Sequence, residues 1–188
     1  MGLFGALRNP RSIAHKGKRL SDILDAHVKF HRGQPGGERA DLAGANLSRA
    51  DLREVNLTKA NLSGCNLESA DFYSSKLSGA DLSKCILRKA RLRKCDLTEV
   101  KLVASDLTEA DLSGSELFRC DLTQAVVRNA ILRGTVLRQA VLRDTDLTGS
   151  DLALASVREV DLSSAKTDQA NLSQAVVRDN KKPHNELK

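Results

Sequence analysis

His27 and His31 stand four residues apart, which on a helix puts both rings on one face, a geometry that can hold a metal ion. No HExxH pattern accompanies them, so packing of a helix against the chain that follows is the expected role, and no metal is expected. Four cysteines, Cys65, Cys85, Cys95 and Cys120, are spaced by multiples of five, and Cys65 and Cys85 lie twenty apart. All four fall where the rest of the chain prefers alanine. They therefore read as small buried hydrophobes in a reducing compartment rather than as a disulfide framework. Serines and threonines are abundant, but they recur at the place that arginine also takes, which marks an outward surface and not a nucleophile. No nucleophile–base pair is legible, carboxylates are dispersed and not convergent, and no cofactor motif is present. The residues point away from catalysis.

The elements that must position these side chains come from a five-residue rhythm over residues 40–179. In 28 successive pentads the third residue, the centre, is Leu in all but Phe72, Val127, Val157, Thr167 and Val177. Two residues before each centre the side chain is small: Ala in fifteen pentads, otherwise Ser, Cys, Val or Thr. Asp or Asn precedes the centre in sixteen pentads; Ser or Thr follows it in twelve and Arg in nine. A period of five makes no stripe on an α-helix and alternates faces on a strand. The chain must instead turn a corner once per pentad, sending one large and one small residue inward, and stacked coils must supply the backbone hydrogen bonds. The predicted core accordingly contains Leu42, Leu82, Leu122 and Phe72 with Cys65, Cys85, Cys95 and Cys120.

Segments such as Ala60–Gly64 (ANLSG), 80–84 (ADLSK) and 110–114 (ADLSG) resemble the pentapeptide-repeat family, whose pattern is roughly A(D/N)LXX. The resemblance implies an all-β fold: a right-handed quadrilateral parallel β-helix with four pentads per coil. Twenty-eight pentads then make about seven coils, a rod roughly 34 Å long at ~4.8 Å per coil. Residues 20–31, LSDILDAHVKFH, carry apolar residues at helical spacing with Ser21 as a candidate N-cap, and Gly33, Pro35, Gly36 and Gly37 break the helix. This short N-terminal α-helix is expected to cap the first coil. Four segments follow: a basic flexible tail at 1–19, the capping helix and Gly-rich turn at 20–39, the solenoid at 40–179, and a polar tail at 180–188.

The net charge of +6 is unevenly spread. Residues 1–39 hold eight Lys/Arg against three Asp/Glu, residues 40–179 nineteen against twenty, and residues 180–188 three against one. The basic excess sits in the tails. Twenty-residue stacking places Thr58, Ser78, Thr98, Phe118, Arg138, Arg158 and Arg178 in one column, and the aromatic followed by three arginines is a candidate interaction surface for an acidic or phosphate-bearing partner. A second candidate is Val126, Ile131, Val136 and Val141, which replace the usual Asp/Asn on four successive pentads, each with an Arg two residues on. The run Lys84, Arg88, Lys89, Arg91, Arg93, Lys94 and Lys101 wraps one coil and reads as a solvated band, because the aromatics for base stacking are missing.

These features predict a non-enzymatic scaffold that binds a macromolecular partner, expected to be a protein, through the solenoid walls. The resemblance also implies an alternative, since the best-known family members mimic a DNA duplex and protect gyrase from quinolones. That role calls for a strongly acidic rod, which this chain does not have. Contact of the basic tails with nucleic acid or an anionic membrane is a third reading. An uncapped last coil would leave open backbone edges, so end-to-end homodimerisation, or coverage by the polar tail, is expected there. The longest apolar run is too short to span a bilayer and no signal peptide is legible, which leads to an expected cytoplasmic location.

Overall fold

A computed structural model of the chain describes residues 6–178. From residue 40 to residue 175 most pentads share one backbone. The residue before the centre forms a parallel bridge to the residue twenty positions on, from Asp41↔Asn61 to Asp151↔Asn171. The centre and the residue two beyond it donate to the next coil: Leu42 N to Asn61 O (2.7 Å) and Gly44 N to Ser63 O (2.9 Å). Asn61 N returns to Ala40 O (3.0 Å). Between these bonds the chain turns, closed by a bond such as Ala45 N to Leu42 O (2.9 Å). In every described pentad but that of Ser164 the second residue after the centre sits at positive φ, as in type II turns, at glycines such as Gly44 (71°) but also at Arg49 (55°), Lys59 (58°) and Glu109 (59°). From 44 to 174 this corner position never holds a β-branched, aromatic or proline residue, the types that left-handed backbone tolerates least.

Regular strands are few. Only β3 (Ser156–Arg158) and β4 (Val176–Arg178) pair over three residues, in parallel, with Ser156↔Val176, Val157↔Val177 and Arg158↔Arg178 in register. Elsewhere in the repeat the pairing is one residue long, because the chain turns away before a ladder can extend. The centres from Leu42 to Leu162 are fully buried and nearly all the small residues beside them are too, whereas Thr167 and Leu172 are half-buried and Val177 is 37% exposed. The largest fully buried side chain is Phe72. At the far end Ala170, Leu172 and Ala175 are only half-buried. The polar tail expected at 180–188 lies outside the described residues.

The leading segment departs from the expected flexible basic tail over residues 6–19. Arg8 bridges Ala50, its N–H donating to Arg49 O (2.6 Å) and its carbonyl accepting from Asp51 N (2.9 Å). The chain therefore adds a rung of its own before the first pentad, and this hydrogen bonding is what holds it. A 3-10 turn at Pro10–Ser12 follows, then an antiparallel hairpin of β1 (Ala14–His15) and β2 (Lys18–Arg19). Helix α1 runs Leu20–His31. Its N-cap is Arg19, not Ser21, whose hydroxyl instead bonds Asp22 (3.2 Å); Leu20 N is taken by Ile13 O (2.8 Å). The buried stripe Leu20, Ile23 and His27 faces the solenoid, and Leu20 and Ile23 join the same apolar cluster as the repeat leucines. No helix among the described residues is long and apolar enough to cross a membrane.

Candidate interaction surface

The walls are built from the pentad's outward residues. Each of the sixteen Asp/Asn side chains before a centre accepts the backbone N–H two residues on, as Asp111 Oδ1 does from Ser113 N (3.0 Å). The acid or amide satisfies a donor that the turn would leave to solvent. Where Val or Ile takes this place, the turn loses that acceptor and gains a β-branched side chain.

Arginines that follow a centre obey a second rule. For Arg53, Arg88, Arg93, Arg128, Arg133 and Arg143 the residue eighteen positions later is Asp. That offset reaches the bridge position of the next coil. Arg128 Nη2 meets Asp146 Oδ2 at 2.6 Å, and Arg133 Nη1 meets Asp151 Oδ2 at 2.8 Å. Burial works to raise the Asp146 carboxyl, but hydrogen bonds from Arg128 and Thr148 outweigh it and bring it down to about 2. The column of Phe118, Arg138, Arg158 and Arg178 breaks the rule. Eighteen residues after Arg138 stands Ser156, and after Arg158 stands Val176. Arg138 turns instead to Glu159 (3.0 Å), whose carboxyl is lowered by hydrogen bonds from Gln139 and Arg138. Phe118 is half-exposed and covered by Arg119, 4.9 Å from its ring centre. No carboxylate among the described residues forms an ion pair with Arg158 or Arg178.

The second candidate does not make one face. Val126, Ile131, Val136 and Val141 fall on four successive walls, with Ile131 39% and Val141 43% exposed, so a flat partner reaches only part of the set. Their arginines Arg128, Arg133 and Arg138 are spent on Asp146, Asp151 and Glu159. The basic run, expected to point every way, partly converges. Lys89, Arg91 and Arg93 line one shallow groove with Tyr73, of about 960 Å³, and their ion pairs to Glu109, Asp71 and Asp111 are each 3.7 Å. The groove is neutralised from within.

His27 is fully buried and its Nδ1 accepts Ala40 N–H (3.0 Å), while His31 Nε2 meets Thr58 O (2.9 Å). The rings stand edge to face at 4.6 Å. No group of three His, Cys, Asp or Glu among the described residues is arranged to hold a metal. Burial first, then the His31 charge, hold His27 below its ordinary 6.5, with the Thr58 carbonyl acting weakly the other way. Because the folded value is depressed, His27 contributes stability that is complete above pH 6.5 and is lost as pH falls through the folded value. Urea midpoints should therefore drop between pH 7.5 and 5.5. The drop should shrink in His27→Asn, whose Oδ1 can replace Nδ1 as acceptor; an equal drop in both proteins would remove His27 from the account.

The four cysteines are buried and free. They do more than fill space: Cys65, Cys85 and Cys95 each donate to the carbonyl of the centre 23 residues earlier, at 2.9–3.0 Å. Ser75, Ser105 and Thr145 do the same at 2.6–2.8 Å. Buried serines and threonines are tolerated inside because each finds a centre carbonyl, 23 residues back or, for Thr135 and Ser150, three back. Burial pushes the Cys95 thiol up to about 12, and a hydrogen bond with Cys65, together with burial, raises Cys85.

A family model for pentapeptide repeats matches eight copies, over residues 38–72, 75–114 and 120–158. Among solved structures, the pentapeptide-repeat protein Rfr23 from the cyanobacterium Cyanothece 51142 is 24% identical over 59% of this chain, with a TM-score of 0.45. This chain spans 63% of the length of that one. HetL, a pentapeptide-repeat protein involved in heterocyst differentiation regulation in Nostoc sp. strain PCC 7120, is 28% identical, covering 76% of this chain and 83% of its own, with a TM-score of 0.34. A trypsin-treated form of QnrB1, a plasmid-mediated fluoroquinolone resistance protein, is 18% identical, covering 75% of this chain and 78% of its own, with a TM-score of 0.59, a likeness of fold. No curated protein matches the chain.

Proposed function

The chain belongs to the pentapeptide-repeat family, whose solved members are right-handed quadrilateral β-helices and generally structural or interaction proteins, and from that premise we propose that it is a non-enzymatic scaffold binding a protein partner through one wall. On this reading the 28 pentads make about seven coils, closed at one end by α1. The observation that carries it is the column Phe118, Arg138, Arg158 and Arg178, where arginines stack without the carboxylate that the same chain places eighteen residues after its other arginines. A cytoplasmic location is part of the proposal. So is end-to-end pairing of two rods, supported by the half-buried Ala170, Leu172 and Ala175 at the last described coil. A DNA-mimicking role is disfavoured, since residues 40–179 carry nineteen Lys/Arg against twenty Asp/Glu.

The test is cross-linked capture from lysate with three baits: the full chain, Arg158→Glu/Arg178→Glu, and Lys166→Glu on another wall. A discrete protein held by the wild type and by Lys166→Glu, but lost with the double reversal, is the expected result. Retention by all three baits overturns the assignment to this wall.

A further inference from the structure

We infer that Arg138, Arg158 and Arg178 seat an acidic α-helix of the partner, lying along the rod axis with about one carboxylate per turn facing the wall. The inference rests on the reading of this wall as the binding surface and identifies what it holds.

The charge argument is internal to the chain. Arg158 and Arg178 are direct partners in the β3–β4 register, so their side chains leave the same face one rung apart. Like charges opposite one another on neighbouring strands are unfavourable. On other walls Arg88, Arg93, Arg128 and Arg133 each pair with an Asp in the next coil; here Ser156 and Val176 stand in those places. Glu159 serves Arg138 and also accepts from Gln139 (2.5 Å), so it is already shared. Asp179, at the same offset from Arg158 as Glu159 from Arg138, lies outside the described residues; three arginines still face at most two such acids. An external row of carboxylates completes the column.

Spacing selects the helix. Rungs lie ~4.8 Å apart, so two steps from Arg138 to Arg178 cover ~9.6 Å. Carboxylates at i, i+4 and i+7 on a helix advance by roughly one turn each, or ~10.5 Å over two steps. Same-face residues of an extended peptide advance ~6.8 Å each, or ~13.6 Å. Phosphates along one strand of duplex DNA rise ~3.4 Å each along the duplex axis, or ~6.8 Å. The mismatch is ~0.9 Å for the helix, ~4 Å for the strand and ~2.8 Å for the nucleic acid, and flexible arginine side chains absorb the first most readily. Val136 and Val176, on the same wall, offer apolar contact to the flank of an amphipathic helix, whereas the wall's one aromatic, Phe118, is already covered by Arg119 and cannot stack bases.

The experiment uses the full-length protein and fluorescein-labelled peptides of about 15 residues, lactam-stapled so that both are helical before binding. One carries glutamates in a single stripe; the other has the same composition with the glutamates distributed around the helix. The striped helix should bind at least about tenfold more tightly by anisotropy, an advantage that added salt reduces. Arg158→Gln/Arg178→Gln should abolish it while leaving the thermal melt unchanged. Equal binding of the two peptides, or equal binding by an unstapled extended glutamate peptide or a single-stranded oligonucleotide of the same charge, overturns the inference. If the striped helix fails while reversal at Arg158 and Arg178 still releases the captured protein, the helix falls and the wall assignment stands; if neither responds, both fall.

Discussion

Phe72→Ala is expected to lower the free energy of unfolding by about 3–5 kcal/mol, among the largest effects any single substitution in this chain should have. Phe72 is fully buried and is the one ring among the centres of the repeat. Its neighbours on the same wall, Leu52 and Leu92, are pinned by bonds running from coil to coil, Leu52 N to Asp71 O (2.8 Å) and Phe72 N to Arg91 O (2.7 Å). The backbone cannot collapse into the space left by the ring without breaking that ladder, so the cavity persists and adds to the lost transfer energy. Phe72→Leu, which restores the common centre, should cost under about 1.5 kcal/mol. Urea unfolding with an unchanged slope is the measurement. A loss below about 1 kcal/mol for the alanine variant would show that the coils can close the gap, contrary to this account.

Gly37→Ala is the second. A methyl group there would lie 2.4 Å from Phe30 N, 2.6 Å from Phe30 Cα and 2.7 Å from Lys29 C. All three are backbone atoms, so the contact is relieved only by moving the turn away from α1. That motion strains Gly37 N to Gln34 O (3.1 Å) and Glu38 N to Ala26 O (3.1 Å), and then the bond from Ala40 N to His27. The cost should be about 1–3 kcal/mol, with helical circular dichroism lost ahead of the solenoid signal. Gly64→Ala is the control: its corner has open space and a φ of 67°, a backbone that Lys59 and Ser69 already adopt with side chains. The idea fails if Gly37→Ala melts with Gly64→Ala, or if the helix and the solenoid lose signal together.

The period of five was legible because it fits neither a helix nor a strand. Burying Leu42, Leu82 and Leu122 on every fifth residue leaves few alternatives to a chain that turns a corner each time. The helix at Leu20–His31 was readable from its apolar spacing, but its start was not: the Ser21 capping signal lost to Ile13 O, which took Leu20 N from a segment read as a tail. That segment carried too little pattern to disclose its rung on Ala50, since one bridging residue leaves no periodicity. The bonds of Cys65, Cys85 and Cys95 to carbonyls 23 residues back carry no sequence signal, because they depend on how coils stack.

By itself the sequence determined the repeat and its inward and outward positions, which follow from side-chain volume and from the need to pair every backbone group, acting at each pentad alike. The four pentads per coil that bring residues twenty apart together were implied by the family resemblance. Only the tertiary structure decided which outward charges meet. Arg128 and Arg133 find carboxylates eighteen residues on, Arg138 finds Glu159, and the apolar set Val126, Ile131, Val136 and Val141 is dealt out to four walls. Long surface side chains choose partners by direction across a coil boundary. A one-dimensional list of residues holds the offset but not the direction, so the Arg158–Arg178 column could be named in advance while the actual pairing of Arg128 and Arg133 with Asp146 and Asp151 could not.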